Sequence, residues 1–273
     1  MHKMRVISVA NQKGGVGKTT TTINLAAWFA SQGRRVLVLD MDGQGHVCPA
    51  LHQAKGPGLF NALVAGRGVV EVMVEARENL FVLPNDHTGE KIKAWAQTLE
   101  LRGFIIADLV DSVRNQFDIV LIDTPPSTDL LHVASLVAAD WIVIPAAMDY
   151  LALDGVGYVM QMLRDMTRMR GVTPPQLMGV LPTMFDRVTS ETAGNLNRVR
   201  NAMGAAALLP PIPRDTKVRE ASTFGMSIFE YAPNCPAAIG VPVKERPGMV
   251  LNSAGRVGGY LHVAEMLKTV LGG

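Results

Sequence analysis

The sequence predicts an α/β fold with a mainly parallel, doubly wound sheet flanked by helices. Three observations carry this. Short runs that are apolar nearly throughout recur at 6–10, 36–39, 80–83, 118–122, 141–144 and 177–181. Strands apolar on both faces belong to a sheet covered on both sides, as parallel sheets are. Segments with helical spacing separate several of these runs, and a glycine-rich stretch, Lys13-Gly14-Gly15-Val16-Gly17-Lys18-Thr19-Thr20, joins the first run to the first helix.

Each element has its own signal. After Thr19, apolar residues fall at Ile23, Ala26, Ala27, Phe29 and Ala30, which suits a helix, and Gly33 supplies a stop. The second strand ends in Asp40-Met41-Asp42 and the fourth in Asp123-Thr124-Pro125-Pro126. Residues 89–116 read as mainly helical, as do 154–170 and 189–204. Residues 232–258, with Pro233, Pro236, Pro242 and Pro247, read as an irregular excursion before an amphipathic segment, Tyr260–Leu271. The whole chain of 273 residues is expected to form one domain.

Composition bounds the function. Apolar residues make up 48% of the chain, enough for a well-buried core, yet no run of about 18 uninterrupted apolar residues suggests a spanning helix. Met1–Arg5 leads straight into a strand without the apolar stretch of a signal peptide, so a cytoplasmic location is expected. Cys48 and Cys235 are expected to be free thiols rather than a metal cluster. The net charge of +2 is uneven: residues 1–163 carry 13 basic and 16 acidic groups, residues 164–273 carry 13 and 8. That excess suits either an ordinary surface or a nucleic-acid face.

The glycine-rich stretch points to phosphate. Gly14, Gly15 and Gly17 let the backbone turn tightly and aim N–H groups at phosphate oxygens, and the helix that follows adds its positive end. Lys18 can reach the β- and γ-phosphates of ATP, and the Thr19 hydroxyl can bind Mg²⁺. Asn11, Gln12 and Thr20 sit beside the loop, where they either shape it or touch the α-phosphate. Its entry departs from the usual phosphate-loop pattern by carrying Lys13.

The form Lys-Gly-Gly-x-Gly-Lys-Thr resembles the signature of the ParA/MinD superfamily of deviant P-loop ATPases, and the chain is most similar to its ParA (Soj-like) members. Ala10-Asn11-Gln12-Lys13 resembles their loop entry. Val38 to His46 resembles their second acidic motif, with Gly43 in place of the usual proline and His46 in place of a common asparagine. Ile119 to Pro126 resembles their Walker B segment, while Ile212-Pro213-Arg214, Glu220-Ala221 and Phe224-Gly225 resemble a later signature. The resemblance covers about residues 4–231, and segment 232–258 has no matched counterpart.

The resemblance implies an ATPase that is slow without a partner and forms an ATP-sandwich homodimer. Lys13 would cross to the partner's ATP and act catalytically with Lys18 and Asp42, Asp42 by orienting the attacking water. Gly14, Gly15, Val16, Gly17, Lys18, Thr19, Thr20 and Pro213 would hold the nucleotide. Thr19 would hold Mg²⁺, with Asp123 acting through water and Asp40 supporting the magnesium shell. It also implies binding to non-specific double-stranded DNA, nucleoid association, a stimulating adaptor protein and a cargo to be positioned. Arg187, Arg198, Arg200, Arg214, Lys217 and Arg219 are the candidate DNA contacts. Arg214 has a second reading, beside the adenine. The alternative, a MinD-like membrane-associated ATPase, would need a basic amphipathic terminal helix, and Lys268 is the only Lys or Arg of Tyr260–Leu271. A metal-cluster reductase would need matching cysteines and a bacterial tyrosine kinase a tyrosine-rich tail, and neither feature is present.

Overall fold

A computed structural model describes residues 3–149, 151–186, 190–243 and 250–272. Its seven strands are β1 (Arg5–Val9), β2 (Val36–Asp40), β3 (Val74–Arg77), β4 (Leu80–Leu83), β5 (Ile119–Asp123), β6 (Trp141–Ala147) and β7 (Gln176–Thr183). They form one sheet in the order β3-β4-β2-β5-β1-β6-β7. All neighbours run parallel except β3, which pairs antiparallel with β4 at the edge.

Twelve α-helical elements are present among the described residues: α1 (Lys18–Ser31), α2 (Gly58–Leu63), α3 (Val69–Val72), α4 (Gly89–Ala96), α5 (Ile105–Ser112), α6 (Leu130–Val137), α7 (Ala152–Met166), α8 (Ser190–Met203), α9 (Thr216–Thr223), α10 (Ile228–Tyr231), α11 (Pro236–Ile239) and α12 (Gly259–Leu271). Alternation along the central strands divides the core. Ile7 and Val9 of β1, Val36 and Val38 of β2, and Ile119 and Leu121 of β5 pack with α1 and α12. Their neighbours Val6, Leu37, Leu39, Val120 and Ile122 pack on the other face with α4, α5 and α6. A third cluster sets Ile142 and Ile144 of β6 against α7 and α8. This is the doubly wound arrangement that all-apolar strands require, since each face must be covered.

Residues 89–116 are mainly helical, as expected, but in three pieces: α4 stops at Ala96, a short 3₁₀ turn occupies Arg102–Phe104, and α5 follows. Each helix buries its own apolar face, Ile92 and Ala96 in one and Ile106 and Leu109 in the other, within the same cluster. Strand β3 lies outside the all-apolar runs because its four residues alternate apolar and charged at the sheet edge; Asn79, at φ 61°, turns the chain into β4. Segment 232–258 is irregular over most of its described residues, with two local pieces of order. It contains α11 and an antiparallel bridge between Val241 and Val257, and Asn252 accepts from Ala254 N at 3.1 Å and Arg256 N at 2.9 Å. Residues 244–249, including Pro247, lie outside the described residues.

The end of that segment determines how α12 docks. Gly258 and Gly259 both have positive φ, and a β-carbon at either would meet backbone at 2.5 Å (Pro211 O) or 2.3 Å (Gly240 N). Only glycine fits that crossing. It delivers Tyr260, Val263, Ala264 and Leu267 into the core beside α1, so the apolar face of α12 is occupied by packing. Among the described residues no helix is long and apolar enough to cross a membrane.

Candidate nucleotide site

The site forms where the carboxyl ends of β1, β2 and β5 lie side by side. Register pairs Val9 with Asp123 and Asp40 with Asp123, so the two carboxylates at the strand ends are neighbours. The loop after β1 climbs over them. Gly15 (φ 72°) and Gly17 (φ 89°) take left-handed conformations, and α1 begins at Lys18. Side chains from other elements fix the loop. Asn11 donates to Pro145 O at 2.7 Å and accepts from Lys13 N at 3.0 Å. Thr183, at the end of β7, donates to Val16 O at 2.8 Å. Asn11 and Val16 are buried, while Gly14 and Gly15 face solvent.

Lys18 is 7% exposed and donates to Lys13 O at 3.0 Å, which curls its side chain back over its own loop. Burial lowers its pKa, and the charges of Asp123 and Asp42 oppose that. Asp123 accepts from Thr19 Oγ1 at 2.7 Å and from Thr22 Oγ1 at 3.3 Å. Burial pushes the Asp123 carboxyl up to about 7, despite the Thr19 hydrogen bond and the Lys18 charge. Asp40 is fully buried, and its pKa stands well above the usual carboxylate range because of burial and then the charge of Asp123. Its oxygens accept from Asp42 N and Val47 N, each at 3.1 Å, and so shape the loop that follows β2.

That loop presents Asp42. One carboxylate oxygen accepts from Gln44 N at 2.9 Å, and the side chain is partly exposed beside Lys18. Gly45 is its pivot: φ is 60°, and a β-carbon there would stand 2.3 Å from Asn85 O. Gly43, the departure from the family pattern, packs near Gly89, and His46 is exposed.

Oxygen donors from one threonine and one carboxylate suit magnesium, which keeps most of its shell as water and phosphate. Thr19 and Asp123 already meet at 2.7 Å and fit that role. Among the described residues no group of three or more His, Cys, Asp or Glu side chains could form an all-protein metal cage.

Beside the loop lies a cavity of about 470 Å³ lined by Gly17, Thr20, Thr183, Pro213, Arg214 and Arg219, among others. It brings Pro213 and Thr20 to the phosphate loop. The basic candidates divide. Arg214 and Arg219 border this cavity. Lys217 pairs with Glu220 at 2.7 Å and lies 5.7 Å from the Tyr231 ring. Arg198 and Arg200 are exposed on α8, and Arg200 borders a separate groove with Leu208 and Pro211. Arg187 lies outside the described residues. No single patch gathers the described candidates.

Several participants escaped the sequence. Asp149, just past β6, pairs with Lys13 at 2.5 Å, the two side chains being 41% and 30% exposed. Thr22, one turn into α1, reaches Asp123. Lys93 of α4 pairs at 2.7 Å with Asp129, which also caps α6 by accepting from Leu131 N and His132 N. The usable signal for Asp149 and Thr183 was position: both lie at the carboxyl end of a strand, where an α/β sheet places its ligands.

Comparison with known proteins agrees with this geometry. Residues 4–173 match the model of an AAA-domain family. The chromosome-partitioning ATPase Soj of Thermus thermophilus is 37% identical over 238 residues, covering 86% of this chain and 92% of that protein. The chromosome partitioning protein ParA of Caulobacter vibrioides is 34% identical, covering 85% and 89%. The structure of cobyrinic acid a,c-diamide synthase from Mycobacterium smegmatis, with a bound ATP analogue and magnesium, superposes with a TM-score of 0.73 at 30% identity over 81% of this chain and 93% of that one. The fold and site define a P-loop ATPase of the ParA/MinD superfamily. Within it, the chain belongs to the ParA/Soj family of partition ATPases.

The buried carboxyls give a test in the nucleotide-free chain. The folded pKa of Asp123, about 7, lies above the ordinary aspartate value of 3.8, so the folded state binds the extra proton. This group therefore costs nothing below about pH 4, and the cost grows as pH rises to about 7. Asp123→Asn is expected to raise the thermal midpoint at pH 8 by at least about 2 °C, with the gain shrinking towards pH 5. Thermal unfolding across that range measures it.

Proposed function

We propose that this chain is an ATP hydrolase, slow on its own, that forms an ATP-sandwich homodimer and binds double-stranded DNA without sequence preference. In that state it positions or segregates a cargo, and a stimulating adaptor protein releases it by promoting hydrolysis. ATP and Mg²⁺ are its cofactors, the cytoplasm and nucleoid its location, and the whole chain acts as one domain. The observation that supports this best is the division of labour between two lysines on one loop. Lys18 is buried over its own site, whereas Lys13 is tied at the rim to Asp149. A cation held at the rim can reach a second nucleotide only when another copy approaches, which links assembly to the triphosphate.

The roles follow from position. Gly14 to Thr20 cradle the phosphates, and Pro213 walls the cavity beside Gly17 for the base. Arg214 lines that same wall, which favours the reading beside the adenine and leaves Lys217, Arg198 and Arg200 as the leading DNA contacts. Thr19 would hold the magnesium, with Asp123 acting through water. Asp40, with both oxygens engaged by backbone amides, holds the loop that aims Asp42. The packing of α12 on α1 weighs against the MinD-like alternative, because the helix that would meet a membrane is already committed.

Two outcomes are expected. Asp42→Ala binds ATP with unchanged affinity, but its single-turnover hydrolysis falls by roughly 100-fold, since a group that orients the nucleophile acts in the transition state. Unchanged hydrolysis would move the role elsewhere. In gel-shift titrations, duplexes of unrelated sequence are retained with ATP and weakly with ADP, and retention falls steeply with added salt. Retention by anionic liposomes in a parallel pelleting assay, with no DNA binding at low salt, would overturn the DNA reading and favour the membrane one.

A further inference from the structure

The loop that carries Asp42 is held from two sides. On the strand side Asp40 accepts from its backbone amides. On the other side it rests on residues 85–89, the turn that joins β4 to α4. There the two chains meet backbone to backbone. A β-carbon at Gly45 would stand 2.3 Å from Asn85 O, and one at Gly89 would stand 3.2 Å from the Gly43 Cα. Carbon atoms pack best at about 3.5–4.0 Å, so any side chain at position 89 would push on the loop. Gly43 is the residue that departs from the family pattern, and the residue it faces is also glycine.

The turn beneath is a stiff bed. Asn85 is fully buried, and its Oδ1 accepts from Asp86 N at 2.9 Å. Asp86 Oδ1 accepts from Thr88 N at 2.9 Å and from Thr88 Oγ1 at 2.6 Å, and Gly89 N donates to Asp86 O at 3.0 Å. Further along α4, Lys93 pairs with Asp129 at 2.7 Å and anchors the helix to the start of α6. Lys55 closes the Asp42 loop from outside by donating to Gln44 O. We infer that Gly89 is a positioning residue for hydrolysis: by leaving room for Gly43, it lets the loop settle where Asp42 can orient the attacking water. This rests on the role proposed above for Asp42. A group that orients a nucleophile works only within a narrow range of positions, and a displacement of about 1 Å costs on the order of 100-fold in rate. The phosphates are met by the loop after β1, so a shift of the Asp42 loop lowers the rate and spares affinity.

The test measures single-turnover hydrolysis and Mg-ATP affinity in Gly89→Ala and Gly89→Val, each with and without Asp42→Ala. Gly89 opens α4 outside the left-handed region, so alanine suits its backbone, and the thermal midpoint of Gly89→Ala should stay within about 4 °C of the parent. The rate is expected to fall about threefold with alanine and at least about tenfold with valine, at unchanged Mg-ATP affinity. In the Asp42→Ala background neither substitution should lower the rate further, because the group they misplace is gone. Parent-rate hydrolysis in both Gly89 variants overturns the inference. So does a loss that persists in the Asp42→Ala background, or one matched by weaker ATP binding, since either shows an effect that bypasses Asp42. If valine prevents folding, alanine decides alone. Asp42→Ala at the parent rate would refute the role of Asp42 and this inference with it, whereas a slow Asp42→Ala beside parent-rate Gly89 variants refutes this inference alone.

Discussion

The structure depends on burying charge where β1, β2 and β5 end. Lys18, Asp123 and Asp40 are each at most 7% exposed, and desolvation works against the charged form of all three. The fold holds them there with the surrounding sheet, whose central strands are apolar on both faces. The two carboxyls sit in register on adjacent strands, so they repel as well. A magnesium ion and a phosphate chain are the species that would relieve both costs, by adding positive charge next to Asp123 and negative charge next to Lys18. Burial of these three groups therefore costs stability that ligand charge would offset.

Around that centre the loops act as levers. Asp40 fixes the turn after β2 through two backbone amides, Gly45 lets the turn press against Asn85, and Asp42 is left at the surface of the site. On the other side Asp129 ties the start of α6 to Lys93 of α4, so the loop after Asp123 is clamped at its far end. Both loops border the same face of the site. Lys13 stands on that face, held by Asp149 and partly open to solvent.

Much of this was legible in the sequence. All-apolar runs located six of the seven strands, because burial on both faces leaves no ambiguity of phase. The glycines of the phosphate loop and the carboxylates at two strand ends were readable because their chemistry needs those residue types at that spacing. What the sequence hid was of two kinds. Short elements such as β3 and α11 depend on tertiary partners, Leu80–Val82 in one case and α12 in the other, rather than on local pattern. Side-chain pairs such as Lys13 with Asp149, 136 residues apart, arise from strand order, which no local spacing encodes. The basic residues of the C-terminal part were visible as a charge excess, but their separation onto α8, α9 and the cavity wall was not.

The central claim is that Lys13 serves a second copy of the chain rather than its own site. Sedimentation velocity tests it most directly, on the parent chain and on Lys13→Ala, each with Mg-ATP, Mg-ADP and no nucleotide, with Lys18→Ala as the variant that loses its own phosphate contact. The account predicts that the parent becomes a dimer only with Mg-ATP, and that Lys13→Ala stays a monomer while still binding ATP. A Lys13→Ala chain that dimerises with Mg-ATP as the parent does, and turns over at the parent rate, would contradict it.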